Sequence, residues 1–232
     1  MPGRTGRQTS SLMRRPSHCR PWTCASGPTD VTVLDHEQAA MWAAFRRSAL
    51  SNLSAVFDNL DPDVVAEVAH DLRSRDHVYV AGERAAHYLA QYVRFVASTV
   101  SPAFRLVDLD GNTFVEDVVD MTDRDALVCL SAASSPGALV RVARLARERD
   151  ALVIAIVDGS PSRLARLSDR LLTVPRQGPS FFESHVAVLA VVETLIGLVA
   201  LGAGHAGRNR INRIAADRLM LERPQDRVAD DN

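Results

Sequence analysis

The sequence contains no lysine, and all 27 of its basic side chains are arginine. It has three cysteines, too few for a disulfide framework, which is typical of a protein of the reducing cytoplasm. Only 5% of the residues are aromatic, while 47% are hydrophobic and 24% are charged. These fractions exclude a fully disordered or collagen-like chain, and the length of 232 residues predicts one large globular domain with a short appendage.

A strong charge of either sign is also missing, because the net charge is −1. The first 34 residues contain five arginines and one acidic residue, a charge of +4, so the remaining residues carry −5. A mildly acidic body of this kind has no general nucleic-acid-binding surface.

Targeting and membrane segments are missing as well. Residues 1–34 contain no apolar run of the kind that a signal peptide needs. The apolar stretch over 186–202 is interrupted at its centre by Glu193, which is costly in lipid. We therefore predict a buried, dimer-forming helix here and no contact with a membrane.

Cofactor and metal signatures are equally weak. Gly82 follows a strand but lacks the further glycines of a dinucleotide fingerprint. His70, His77 and His87 do not have the spacing of metal ligands. We expect no cofactor and no metal.

The composition divides the chain into three parts. Residues 1–34 are rich in Arg, Pro and Ser and predict a disordered tail, residues 35–221 predict the folded domain, and residues 222–232 predict a disordered polar tail. The abrupt change near Asp35 is consistent with a misplaced start codon or a truncated reading frame.

Within the domain, short apolar runs alternate with amphipathic segments. The runs predict five strands, over 77–82, 104–109, 126–131, 152–158 and 170–174. Helices are predicted between and around them, over 36–57, 62–73, 85–99, a short stretch after 113, 137–149, 162–167, 184–201 and 208–221. Strands that are apolar on nearly every residue predict a parallel sheet covered on both faces. Such sheets bind ligands beyond the carboxyl ends of their strands, here at the loops over 82–86, 131–137, 158–162 and 175–184.

At these loops the chain resembles a sugar isomerase (SIS) domain, specifically that of the MurR/RpiR family of sugar-phosphate-responsive transcription regulators. The resemblance lies in VYVAGERAA (78–86), in residues 143–175 and in SFFESHVAVLAVVETL (180–195), which follow the family's order and cover most of 35–221. It implies an α/β fold of three layers, an αβα sandwich with a five-stranded parallel sheet and a flanking N-terminal helix. It also implies a homodimer or higher homo-oligomer that binds a phosphorylated sugar or sugar-acid derivative.

In this family the phosphate binds at the start of the helix after the third strand, at a Ser-x-Ser-Gly-x-Thr loop. Free backbone donors and the dipole of a helix N-terminus favour an anion there. In this chain only Ser131 matches the loop, since the later positions are Ala133, Ser134 and Pro136, and the family's hydroxyl in the first loop is replaced by Ala86.

Neighbouring polar side chains are candidates to compensate for these losses. Ser134 and Ser135 can supply hydroxyls in a shifted geometry, and Arg84 can supply charge. The predicted ligand-binding residues are Gly82, Glu83, Arg84, Ser131, Ser134 and Ser135.

The family's regulators carry a helix-turn-helix domain before the SIS domain, and no such pattern precedes residue 78 here. The resemblance therefore implies a phosphosugar-binding, non-enzymatic module of an RpiR-type transcriptional regulator without its own DNA-binding domain. DNA is an expected partner only if the native product contains the missing helix-turn-helix domain.

Two alternatives remain open. Some SIS proteins are aldose–ketose isomerases or sugar-phosphate lyases, and under that hypothesis Glu183 and His185 are the catalytic candidates, because SIS isomerases place a catalytic glutamate at the start of this helix. The replacements at Ala86, Ala133 and Pro136 also fit a degenerate SIS dimer that binds no ligand.

Overall fold

Five parallel strands form the centre of the fold, and helices cover both of their faces. The computed structural model describes residues 35–111, 114–131, 137–159 and 163–222, so both predicted tails lie outside it except for Glu222. In chain order the elements are α1 (His36–Asn59), α2 (Pro62–Ser74), β1 (Val78–Gly82), α3 (Ala85–Val100), β2 (Phe104–Val107), α4 (Phe114–Val118), β3 (Ala126–Leu130), α5 (Gly137–Glu148), β4 (Leu152–Val157), α6 (Arg163–Leu167), β5 (Arg170–Thr173), α7 (Val186–Gly202) and α8 (Gly204–Leu221).

The sheet has the strand order β2-β1-β3-β4-β5, and each neighbouring pair is parallel. Alternate residues of each strand face opposite sides and so enter two separate hydrophobic cores. Val78 and Val80 of β1 join the core with α1, α2, α3 and α7, whereas Tyr79 and Ala81 join the core with α4, α5 and α6. The predicted αβα sandwich is therefore confirmed.

The apolar helix α7 lies in the core of its own chain. Seven of its residues are buried, and it contacts α1, α2 and α3. Its exposed Glu193 accepts a hydrogen bond from the Tyr92 hydroxyl at 2.8 Å, which keeps the carboxylate at the surface. The burial of α7 thus needs no partner chain, and its part in a dimer stays a prediction.

The sequence predicts that the last helix begins at about residue 208, which is wrong, because α8 begins at Gly204. Gly204 has φ +58°, a conformation that glycine adopts readily, and the chain turns by 110° between α7 and α8. Among the described residues no single helix is long and apolar enough to span a membrane; α7 and α8 meet that criterion only as this bent pair, by length and composition alone.

A buried carboxylate fixes the amino end of β1 beside β3. The Asp125 carboxylate accepts hydrogen bonds from the backbone N–H of His77 at 3.0 Å and from the backbone N–H of Thr122 at 2.8 Å. Burial alone raises the pKa of Asp125, but these and further hydrogen bonds from the same two residues hold that pKa below its usual range. β1 and β3 therefore end next to each other, with Gly82 paired to Leu130.

Gly82 ends β1 in close contact with α3. A Cβ atom at this position would lie 2.4 Å from the carbonyl oxygen of Ala86. We expect Gly82→Ala to lower the free energy of unfolding by about 1–3 kcal/mol in urea denaturation, because backbone atoms must shift to admit the methyl group. The matched control is Gly197→Ala in α7, where a Cβ meets no atom within 4 Å, and which we expect to stabilise the protein by up to about 1 kcal/mol. Equal stability of Gly82→Ala and the wild type would show that this close approach does not constrain the loop.

Candidate ligand-binding site

The loop between β1 and α3 forms one wall of the site and contains a strained residue. Arg84 has φ 57° and ψ −125°, a combination that residues with a side chain rarely adopt. Ala86 N–H donates to the Glu83 carbonyl at 3.1 Å and closes the turn. The turn exposes the Arg84 side chain and directs Glu83 toward the neighbouring strand β3 and the helix that follows it.

The carboxylate of Glu83 lies at the N-terminus of α5. Its Oε1 atom accepts a hydrogen bond from the backbone N–H of Leu139 at 3.1 Å. Its Oε2 atom is buried and has no hydrogen-bond partner among the described residues. Burial raises the pKa of Glu83, while the backbone N–H groups of Leu139 and Ala138 oppose this rise. A side chain of this protein therefore takes a donor at the helix end where the resemblance implies a phosphate.

The end of β3 contributes Ser131 to the site, while Cys129, two residues earlier, is buried in the core with α4, α5 and α6. Ser131 is buried, and its backbone N–H donates to the carbonyl of Ile156 at 3.1 Å, which aligns the end of β3 with β4. Burial, assisted by the nearby Glu83, raises the pKa of the Cys129 thiol to about 12, so this cysteine is not a thiolate near neutral pH. The predicted residues Ser134 and Ser135 lie outside the described residues.

The opposite wall contains a buried arginine that follows β5. Arg176 is only 5% exposed, and its Nε, Nη1 and Nη2 atoms have no hydrogen-bond partner within the described part of the chain. Its Nη1 atom is 3.8 Å from Oε2 of Glu183, an ion pair too long for a hydrogen bond. Burial lowers the pKa of Arg176, and the carboxylates of Glu183 and Asp158 oppose this effect. A buried cation without hydrogen bonds is costly, so this wall favours an additional anion.

The segment after Arg176 is held against α1. The Gln177 carbonyl accepts hydrogen bonds from the Ser48 hydroxyl at 2.6 Å and from the Asn52 side-chain amide at 2.7 Å. The ring of Phe182 stacks on that of Phe45 with 5.9 Å between centroids. These contacts position Glu183 and His185 just before α7.

His185 also lies in this wall, where its surroundings disfavour the imidazolium form. Burial and the positive charge of Arg176 lower its pKa, and the carboxylate of Glu183 raises it less than these two lower it. Its Nδ1 atom is buried and has no partner among the described residues. A neutral imidazole can accept a proton, so the geometry gives the wall a potential base.

The two walls enclose a cavity of about 500 Å³ at the carboxyl end of the sheet. This volume is in the range of small-molecule sites. Its lining comprises Glu83, Arg84, Ala85, Ala86, Leu130, Ser131, Arg176, Phe181, Phe182, Glu183 and His185. The structure thus brings together the predicted residues Glu83, Arg84 and Ser131 with the isomerase candidates Glu183 and His185. Gly82 lies at the end of β1 and does not line the cavity.

Arg176 is the residue that the sequence analysis missed. It lies in the loop over 175–184 that the strand pattern indicated, yet an arginine after Pro175 has the local pattern of an ordinary surface residue. Its burial results from packing of the 177–185 segment on α1, residues more than 120 positions apart in the chain. Only the position of the loop at a strand's carboxyl end could have drawn attention to it.

A protein-family comparison agrees with this geometry. The family model described as "SIS domain" matches residues 71–198, more than half of the chain. The chain belongs to the SIS-domain family, which confirms that part of the resemblance. No curated protein matches the sequence.

Solved structures with the same fold include both regulators and enzymes. The SIS domain of the RpiR transcription factor from Sphaerobacter thermophilus has 19% identity and a TM-score of 0.71, covering 76% of this chain and 98% of that one. The NanR protein of Vibrio vulnificus, solved with ManNAc-6P, has 18% identity and a TM-score of 0.68, covering 79% of this chain and 70% of that one. The phosphoheptose isomerase GmhA from Neisseria gonorrhoeae has 15% identity and a TM-score of 0.58, covering 69% of this chain and 97% of that one. At these identities the likeness shows the shared fold.

The proximity of Arg176 and His185 generates a prediction about proton affinity. We expect Arg176→Met to raise the pKa of His185, because the substitution removes a positive charge that disfavours the imidazolium form. Glu183→Gln should lower the same pKa, because it removes a negative charge that favours the imidazolium form. An NMR titration of the His185 ring signals measures both. If both variants shift the pKa in the same direction, these two charges do not act on His185 as the geometry requires.

Proposed function

We propose that this chain is a phosphosugar-binding module that senses its ligand, related to the sensor domains of RpiR-type regulators. The observation that carries the proposal is the cavity at the carboxyl ends of β1 and β3, which combines two arginines, two glutamates and a serine in a volume suited to a sugar phosphate. The family membership and the ManNAc-6P held by a neighbour of the same fold support the same ligand class.

Sensing requires that binding change the protein in a way that a partner can detect. We propose that the chain forms a dimer and that ligand alters the dimer geometry. In a product that also contains a helix-turn-helix domain, this change would alter DNA binding. Fold alone does not decide between regulator and enzyme, so this role depends on the binding chemistry.

A thermal-shift screen tests the binding claim. We expect at least one sugar phosphate to raise the melting temperature, while the same sugar without phosphate does not. The reason is that the buried guanidinium of Arg176 favours an anionic ligand. A ligand present at a hundred times its Kd stabilises by about 2.7 kcal/mol, or roughly 5–10 °C for a domain of this size. If no phosphorylated sugar stabilises the protein, the sensor proposal fails, and the degenerate, ligand-free dimer becomes the better interpretation.

A second candidate function is aldose–ketose isomerisation, favoured by the placement of Glu183 and neutral His185 on one cavity wall. Isomerisation moves a proton from the carbon next to a carbonyl to the carbonyl carbon through an enediol, and this requires a positioned base. The wall that contains Arg176 contributes two candidates for this base, Glu183 and His185.

The isomerase alternative predicts turnover of a phosphorylated aldose to the matching ketose. Under this hypothesis Glu183→Ala should lower kcat by about 10²–10⁴-fold, because the base is lost. Glu193→Ala is the matched control, because this glutamate lies at the exposed surface of α7 and does not line the cavity. Under the sensor proposal we expect no turnover by the wild type, measured by a coupled assay of the ketose product.

A further inference from the structure

We infer that Arg176 holds the anionic group of the ligand. At the N-terminus of α5, where the resemblance implies the phosphate, the carboxylate of Glu83 lies instead. This inference rests on the proposed function, because it assigns the two ends of the ligand within the same cavity. The ligand class that follows is a polyhydroxylated molecule with one anionic group, either a sugar phosphate or a sugar acid.

The first step concerns the unused donors of Arg176. Its guanidinium is buried, and none of its three nitrogen atoms has a hydrogen-bond partner among the residues that the structure describes. A planar guanidinium binds a phosphate or a carboxylate through two parallel hydrogen bonds. The 3.8 Å contact with Glu183 is too long for a hydrogen bond, so no described residue uses these donors.

The second step concerns the anion already present across the cavity. The Glu83 carboxylate accepts the Leu139 N–H at 3.1 Å, so an incoming phosphate at the start of α5 would meet a like charge and a used donor. Within the described part of the chain, the buried Oε2 atom of Glu83 accepts no hydrogen bond. It can accept a hydrogen bond from a ligand hydroxyl, which assigns Glu83 to the sugar end of the ligand.

The third step concerns access to Arg176. Its guanidinium lies just beneath the cavity surface, whereas the side chain of Glu183 is 43% exposed. A ligand anion therefore competes with the Glu183 carboxylate for the same cation, and an outward rotation of this half-exposed side chain admits it. Removal of the Glu183 charge should consequently strengthen anion binding.

The test compares thermal stabilisation of the wild type, Arg176→Met, Arg176→Lys, Glu183→Gln and Glu83→Gln at constant ionic strength. The probes are inorganic phosphate, gluconate, uncharged glucose, and glucose 6-phosphate together with the other sugar phosphates of the thermal-shift screen. We expect phosphate and the most stabilising of the charged sugars to bind Arg176→Met at least tenfold more weakly than the wild type, because charge-assisted hydrogen bonds are lost. Arg176→Lys should be intermediate, since it keeps the charge but not the paired geometry.

The glutamate variants locate the anion. Glu183→Gln should bind phosphate several-fold more tightly, and Glu83→Gln should bind it within about threefold of the wild type. Phosphate bound at α5 would give the opposite pattern, with tighter binding by Glu83→Gln and no loss in Arg176→Met, and this would overturn the inference. A comparison of the stabilisation by glucose 6-phosphate with that by gluconate shows whether the site prefers a phosphate or a carboxylate.

The ligand-free melting temperature separates binding from folding. We expect Arg176→Met to melt at or above the wild-type temperature, because a buried charge that makes no hydrogen bond within the described residues is replaced by an apolar side chain of similar length. If a charged sugar stabilises the wild type and Arg176→Met equally, the inference fails while the proposed function stands. If phosphate requires Arg176 but no sugar adds to its effect, the anion site stands and the proposed function fails. If no probe stabilises the wild type, both fail.

Discussion

A parallel sheet that is buried on both faces leaves its strand ends as the place where polar groups can face a ligand. The strands are apolar on nearly every residue and share their side chains between two cores. β1 lies between β2 and β3, and the helices that follow β1 and β3 pack on opposite faces. The loops that leave these two strands therefore diverge and open a crevice between them. This crevice positions Glu83, Arg84 and Ser131, which lie in the two loops or at the strand ends.

Two charges of opposite sign are buried on the two sides of that crevice. One carboxylate oxygen of Glu83 accepts a hydrogen bond at the N-terminus of α5, while no nitrogen atom of the Arg176 guanidinium has a hydrogen-bond partner among the residues that the structure describes. The resulting asymmetry is what a ligand with one anionic end and several hydroxyls would complement.

The sequence predicts the architecture well, because the strand and helix periods are local properties and the five apolar runs correspond to the five strands. It places Glu83 and Arg84 correctly at the end of β1 and Ser131 at the end of β3. It does not predict the hydrogen bond that the Leu139 N–H donates to Glu83, since these residues are 56 positions apart and meet only when β1 and β3 pair. The burial of Arg176 and the start of α8 at Gly204 likewise follow from tertiary packing and from a single glycine conformation.

The shared SIS fold is compatible with sensing and with isomerisation. The central claim concerns the ligand instead, and it states that Arg176 binds the anionic group. The most direct measurement is a crystal structure of the protein with a stabilising sugar phosphate. We predict phosphate oxygens about 2.7–2.9 Å from the guanidinium nitrogens of Arg176, with Glu83 still bonded to Leu139. A phosphate on the backbone N–H groups at the start of α5, with Glu83 displaced and Arg176 unengaged, would contradict it.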